Sequence, residues 1–168
     1  GLLSDTFENR TLSNGDLGIN SDYYAYLEAI WTFNNPEAVN INIFATPGID
    51  GFENTGLVEE TIEMIEQERS DSLYVMTIPD VDASGDVLSE DDVVNDLETA
   101  GYDSSYTTTF FPWVQFNDTE NNVYLYLPVT KDYVRNAALT DNIAFPWFAV
   151  AGVQRGDVAG IKARKKLT

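Results

Sequence analysis

Residues 39–78 read VNINIFATPGIDGFENTGLVEETIEMIEQERSDSLYVMTI, and their reading decides the fold. Val39, Ile41, Ile43 and Ala45 are apolar on alternate positions, which predicts a strand over 39–45 with one face buried. Thr46-Pro47-Gly48 stops it. Val58, Ile62 and Ile65 mark a helix over about 56–69. Leu73–Ile78 is an almost unbroken apolar run, which predicts a strand covered on both faces. Strand, helix and buried strand in succession point to an α/β arrangement.

The flanks extend the pattern. Upstream, Ser21 is a good N-cap, and Tyr23, Leu27, Ile30 and Trp31 line one helical face that ends before Asn34-Asn35-Pro36. Residues 1–20 are polar and rich in Gly and Asn, a loop with room for a short strand. Downstream, Ser89 followed by Asp92 resembles a capping box. Val93, Val94 and Leu97 give a third helix, closed by Gly101. Tyr106–Phe116 and Val123–Leu127 predict two strands, joined by a hairpin turn over Asn117–Asn122. A fourth helix is expected from Thr130 to Ala138, and a glycine-spaced segment follows it. The expectation is a single α/β domain over residues 1–168: a mixed β-sheet covered by α-helices, without internal repeats or a linker.

Charge restricts the partners. The chain carries 28 acidic and 9 basic residues, a net −19, and four of the nine bases (Lys162, Arg164, Lys165, Lys166) fall in the last seven positions. Such a body repels nucleic acid and anionic membranes. The basic tail, residues 161–168, suits either solvent or an acidic surface, and another copy of this chain supplies one. These four cations are therefore the candidate subunit-interface residues. Cysteine and histidine are both absent. That excludes disulfides, thiolate or imidazole metal sites and a Ser-His-Asp triad. No apolar run reaches membrane-spanning length.

The remaining motifs weigh toward structure. Asp80-Val-Asp82-Ala-Ser84-Gly85-Asp86-Val87-Leu-Ser-Glu-Asp91 matches much of a calcium loop: oxygen side chains at positions 1, 3 and 5, then Gly at 6. Position 12, however, is Asp rather than Glu, and the loop follows Pro79 and a strand rather than a helix. The competing reading is an acidic loop that caps the third helix. Glu59 and Glu60 are expected in a helix's first turn, where the dipole favours acids, so a structural reading is preferred to a glycosidase pair, whose spatial separation the sequence does not give. The 46–51 turn (TPGIDG) lacks both the Gly-rich and the Walker spacing for nucleotides. Trp113 could stack on a sugar, although an aromatic strand under helices explains it equally. Pro112 marks an edge or bulge in that strand. Gly152, Gly156 and Gly160 recur every four residues with no Gly-Lys-Ser/Thr, so backbone clearance fits them better than phosphate binding. No catalytic residue, metal ligand or cofactor is assigned.

Four stretches resemble one family in order along the chain. Leu12-Ser-Asn14-Gly15-Asp16 is similar to a Gly-Gly-x-Asp-Gly turn, and Val39–Gly48 to a strand ending in Pro-Gly. Phe110-Phe-Pro-Trp-Val114, with Asn117-Asp118 after it, is similar to a Tyr-Tyr-Pro-Trp strand. Phe145-Pro-Trp-Phe-Ala-Val-Ala151-Gly152, Arg155-Gly156-Asp-Val-Ala-Gly160 and Ala163-Arg-Lys-Lys-Leu167 are similar to an aromatic–Ala-Gly–x-x-x-Gly segment leading into a basic stretch. Together they resemble the tail sheath proteins of contractile-tailed bacteriophages over about residues 12–167. The resemblance implies a non-enzymatic virion subunit that stacks helically with its own copies around a tail tube. It contracts to drive the tube through the host envelope, and the tube and baseplate proteins are its neighbours. The sheaths of bacterial contractile injection systems are a related possibility. A calcium- or carbohydrate-binding module is the rival, with a glycosidase third. The family continues beyond the position of Leu167-Thr168, so the expectation is a core fragment, monomeric by itself.

Overall fold

A computed structural model describes residues 21–145 and 147–167. The expected loop over 1–20, including the Leu12–Asp16 turn, lies outside these residues. The fold is mixed α/β, with four helices and two three-stranded sheets among the described residues. They form two units, residues 21–79 with 91–108 and residues 80–90 with 109–167.

The first unit contains α1 (Ser21–Trp31), β1 (Ile43–Ala45), α2 (Thr55–Glu68), β2 (Leu73–Val75), α3 (from Glu90 to Ala100) and β3 (Thr107–Thr108). Its sheet is parallel in the order β1-β2-β3, with Phe44 opposite Tyr74 and Tyr74 opposite Thr107. Helices α2 and α3 make the two crossovers that parallel neighbours require. Tyr74 and Val75 are both fully buried. Adjacent strand residues point to opposite faces, so the centre of this sheet is covered on both sides, as LYVMTI predicts. Leu57, Val58, Met64 and Ile65 of α2 supply much of the cover, and α1 packs on α2. There the Trp31 indole donates to the Glu60 carboxylate over 3.1 Å.

The first strand is shorter than expected, starting at Ile43 rather than Val39. The cause is Arg69, at the C-terminus of α2. Its guanidinium donates to the carbonyls of Val39 at 2.5 Å and Ile41 at 3.0 Å, and to Phe33 at 3.3 Å. Those carbonyls end on a side chain instead of a sheet ladder.

The second unit contains β4 (Val114–Asp118), β5 (Val123–Leu127), α4 (Thr130–Ile143) and β6 (Lys162–Ala163). Its sheet is antiparallel in the order β5-β4-β6. The β4–β5 hairpin is as expected, with its turn tightened to 119–122. Asp118 accepts from the backbone amides of Glu120 and Asn121 and from the Asn121 amide group. The Asn121 side chain is the first cause holding the Asp118 carboxyl below the usual carboxylate range.

Two corrections concern this region. The expected strand over 106–116 is two strands in two different sheets, so the described residues form no single mixed sheet. The break falls around the cis Phe111–Pro112 peptide, where proline has no amide to give to a ladder. In addition, α4 runs to Ile143, five residues past the expected end. Its buried stripe is polar (Asp132, Asn136, Thr140), so hydrophobic periodicity understates its length.

Candidate interaction surface

The C-terminal basic tail contributes the two-residue strand β6. Ala163 and Lys162 pair with Val114 and Gln115 of β4, and the amides of Ile161 and Arg164 donate to the carbonyls of Gln115 and Trp113 at 2.7 and 2.8 Å. Arg164 then turns back into its own unit. Its Nη1 donates to Asp80 Oδ1 over 2.9 Å, and its guanidinium lies 4.5 Å from the centre of the Tyr126 ring. Asp80 is fully buried, and its Oδ2 has no hydrogen-bond partner. Burial pushes the Asp80 carboxyl above the ordinary carboxylate range, while the hydrogen bond and charge of Arg164 pull it part of the way back. Lys165 donates to the Leu88 carbonyl at 3.1 Å and pairs with Glu90 at 3.2 Å. Of the four tail cations, Arg164 and Lys165 thus serve the chain itself, whereas Lys162 and Lys166 are exposed.

The same pairing engages the first acidic residue of the calcium-like loop. Asp80, at motif position 1, faces a guanidinium. Asp82, at position 3, accepts from the amides of Ser84 and Asp86 at 2.8 and 2.9 Å. Val81 bridges Val87, so the segment is a small hairpin. Among the described residues no three acidic side chains converge as metal ligands. Side chains at two of the other sequence candidates hydrogen-bond within the chain. Glu60 receives the Trp31 indole, and, contrary to expectation, neither it nor Glu59 lies in the first turn of α2, because the helix already begins at Thr55. Asp50 in the 46–51 turn accepts from the amides of Phe52 and Glu53, and Tyr102 donates to the Gly51 carbonyl. Trp113 is half-buried immediately before β4 rather than within a strand.

The glycines of the C-terminal segment are explained by backbone geometry. Gly152 has φ +83, and a Cβ on Gly160 would stand 2.8 Å from the Val114 Cβ. A Cβ on Gly156 would stand 3.0 Å from the Ala151 Cα. Gly160→Val is therefore expected to force β6 away from β4. It should lower stability by about 1–3 kcal/mol and speed hydrogen exchange at the Ile161 and Arg164 amides. Unchanged exchange at those amides would contradict the close approach.

What sets the second unit apart is its surface. Twelve of the fourteen buried hydrophobic residues among the described residues belong to the first unit, leaving only Val114 and Phe116 in the second. Thirteen of the fifteen exposed large hydrophobic residues belong to the second unit. They concentrate after Ala138: Leu139 and Ile143 on α4, then Phe145, Trp147, Phe148 and Val153. Trp147 is 78% exposed and stacks on Phe145 with ring centres 4.8 Å apart; Arg155 sits 4.7 Å from the centre of the Phe148 ring. The charge divides as sharply. Residues 21–79 with 91–108 hold 16 acidic residues and one basic, against 9 and 7 in residues 80–90 with 109–167.

The sequence contains a signal for this surface: a dense run of aromatic and aliphatic residues over 143–161 without helical or strand periodicity. Its exposure follows from α4 turning polar residues inward. Asn136 donates to the Asp157 carbonyl at 2.7 Å, and Thr140 to the Asn136 carbonyl at 2.8 Å. Leu139 and Ile143 are left outward. A scan against protein-family models and a search of curated proteins each found no match.

Proposed function

We infer that the chain is a structural, non-enzymatic subunit of a contractile-tail sheath, assembling helically with copies of itself around a tail tube. On this reading it belongs to the virion tail, is assembled in the host cytoplasm, and contracts to drive the tube through the host envelope. Tube and baseplate proteins are its other neighbours. The four ordered sequence resemblances supply the family. One observation supports an assembly role independently: the second unit keeps two buried hydrophobic residues and exposes thirteen large ones. Isolated monomers rarely leave so much apolar surface in water, and a unit of this kind gains stability when another chain covers it.

Electron microscopy of the full-length protein tests the reading. Hollow tubes of helically arranged subunits are expected, and a protein that stays monomeric at every concentration would count decisively against it. The sheath of a related contractile injection system would give the same tubes.

A further inference from the structure

We propose that the exposed aromatic segment of the second unit docks on helix α3 of a second copy, in a head-to-tail contact. The proposal rests on the assembly reading above and names its interface. The donor surface is the Phe145–Trp147 stack, Phe148 with Arg155 over its ring, and Val153, which is 95% exposed. Of the five basic residues in 145–167, Arg164 and Lys165 are paired within the chain, which leaves Arg155, Lys162 and Lys166 against one acidic residue, Asp157. The acceptor must therefore be acidic yet carry some apolar surface.

Helix α3 fits that description. It holds five acidic residues and no basic one, and only Val93 of its eleven residues is fully buried. Val94 is 52% exposed, one of two large hydrophobic residues that the first unit leaves exposed. Asp91, Val94 and Glu98 fall at i, i+3 and i+7, so an exposed apolar side chain sits between two carboxylates on one helical face. A Trp147 anchor beside Val94, with Arg155 reaching Asp91 or Glu98, joins an aromatic hot spot to a charge-complementary rim. Because the two surfaces differ, the contact is heterologous. Repeated by rotation and translation it builds a helix of subunits rather than a closed dimer.

Sedimentation of the full chain over a concentration series tests this, with wild type compared with Arg155→Glu, Glu98→Lys, the double variant and Trp147→Ser. Each single variant is expected to raise the concentration needed for assembly by about tenfold or more. The double variant should recover most of the loss. Thermal midpoints should stay unchanged, because Glu98 and Trp147 are exposed and Arg155 makes no buried ion pair. Single variants that assemble at the wild-type concentration, or a double variant no better than the worse single one, overturn the contact. If wild type forms tubes in that case, the sheath reading survives. Charge-swap rescue in particles that are not tubes would support the contact and overturn the sheath. A wild-type chain that never associates overturns both.

Discussion

Arg69→Met is expected to destabilise the first unit by about 3–5 kcal/mol, a large part of a typical domain's total stability. Arg69 is fully buried and gives its guanidinium protons to three backbone carbonyls, those of Phe33, Val39 and Ile41. It also forks onto Asp71 through Nε and Nη2, at 2.9 and 3.1 Å. Methionine fills similar volume but donates nothing, so those carbonyls lose their donor in a place water reaches poorly. Ser72 relieves only Ile41, donating to its carbonyl at 2.8 Å. Lysine retains the charge without the planar fork, so Arg69→Lys should fall between wild type and Arg69→Met. Urea unfolding of the three proteins checks the ranking. A methionine variant within about 1 kcal/mol of wild type would show that the carbonyls find other donors.

Arg164→Met is the second large effect, and it carries a pH signature. Removing the guanidinium strands a fully buried carboxylate, and breaking a buried pair in this way costs about 3–5 kcal/mol. Asp80→Asn should cost less. The Arg164 side chain is 27% exposed and can turn to water, whereas Asp80 cannot. The sign of the pH effect follows from burial. The folded Asp80 carboxyl lies above its ordinary value of 3.8, and losing Arg164 lifts it further. A raised carboxyl binds its proton more tightly in the folded state than in the unfolded one. Its protonated form is therefore fully compatible with folding below the unfolded value, and the penalty grows as pH rises through the folded value. The stability gap between wild type and Arg164→Met should be wide at about pH 7 and narrow towards about pH 4. A gap independent of pH would mean that the loss comes from the Tyr126 stacking or from β6 itself.

The two arginines mark how far the sequence could be read. Arg69 is the lone basic residue among sixteen acidic ones in the described part of the first unit, which is a hint of burial in hindsight. Nothing in its spacing names Phe33, Val39 and Ile41 as its acceptors, because those contacts span 28 to 36 residues. Arg164 stands out as part of a basic cluster, but its partner Asp80 is 84 residues away. The aspartate was legible as the first position of a calcium motif; that motif describes local order, whereas the carboxylate's partner is set by the return of the C-terminal strand.

Periodicity by itself determined α1, α2 and α3, the hairpin and the buried β2, but only the first part of α4. Each depends on the positions of residues a few places apart along one element, and LYVMTI between amphipathic helices leaves little choice. The net charge and the absence of cysteine and histidine likewise restricted the chemistry without coordinates. Only tertiary structure decided that the strands form two sheets, that Lys162 and Ala163 of the basic tail pair with β4 as β6, and that α4 turns Asp132, Asn136 and Thr140 inward while Leu139 and Ile143 face water. These outcomes depend on which distant segments meet. A buried polar stripe or a strand two residues long is stable only when its partners arrive, and partners carry no local periodicity.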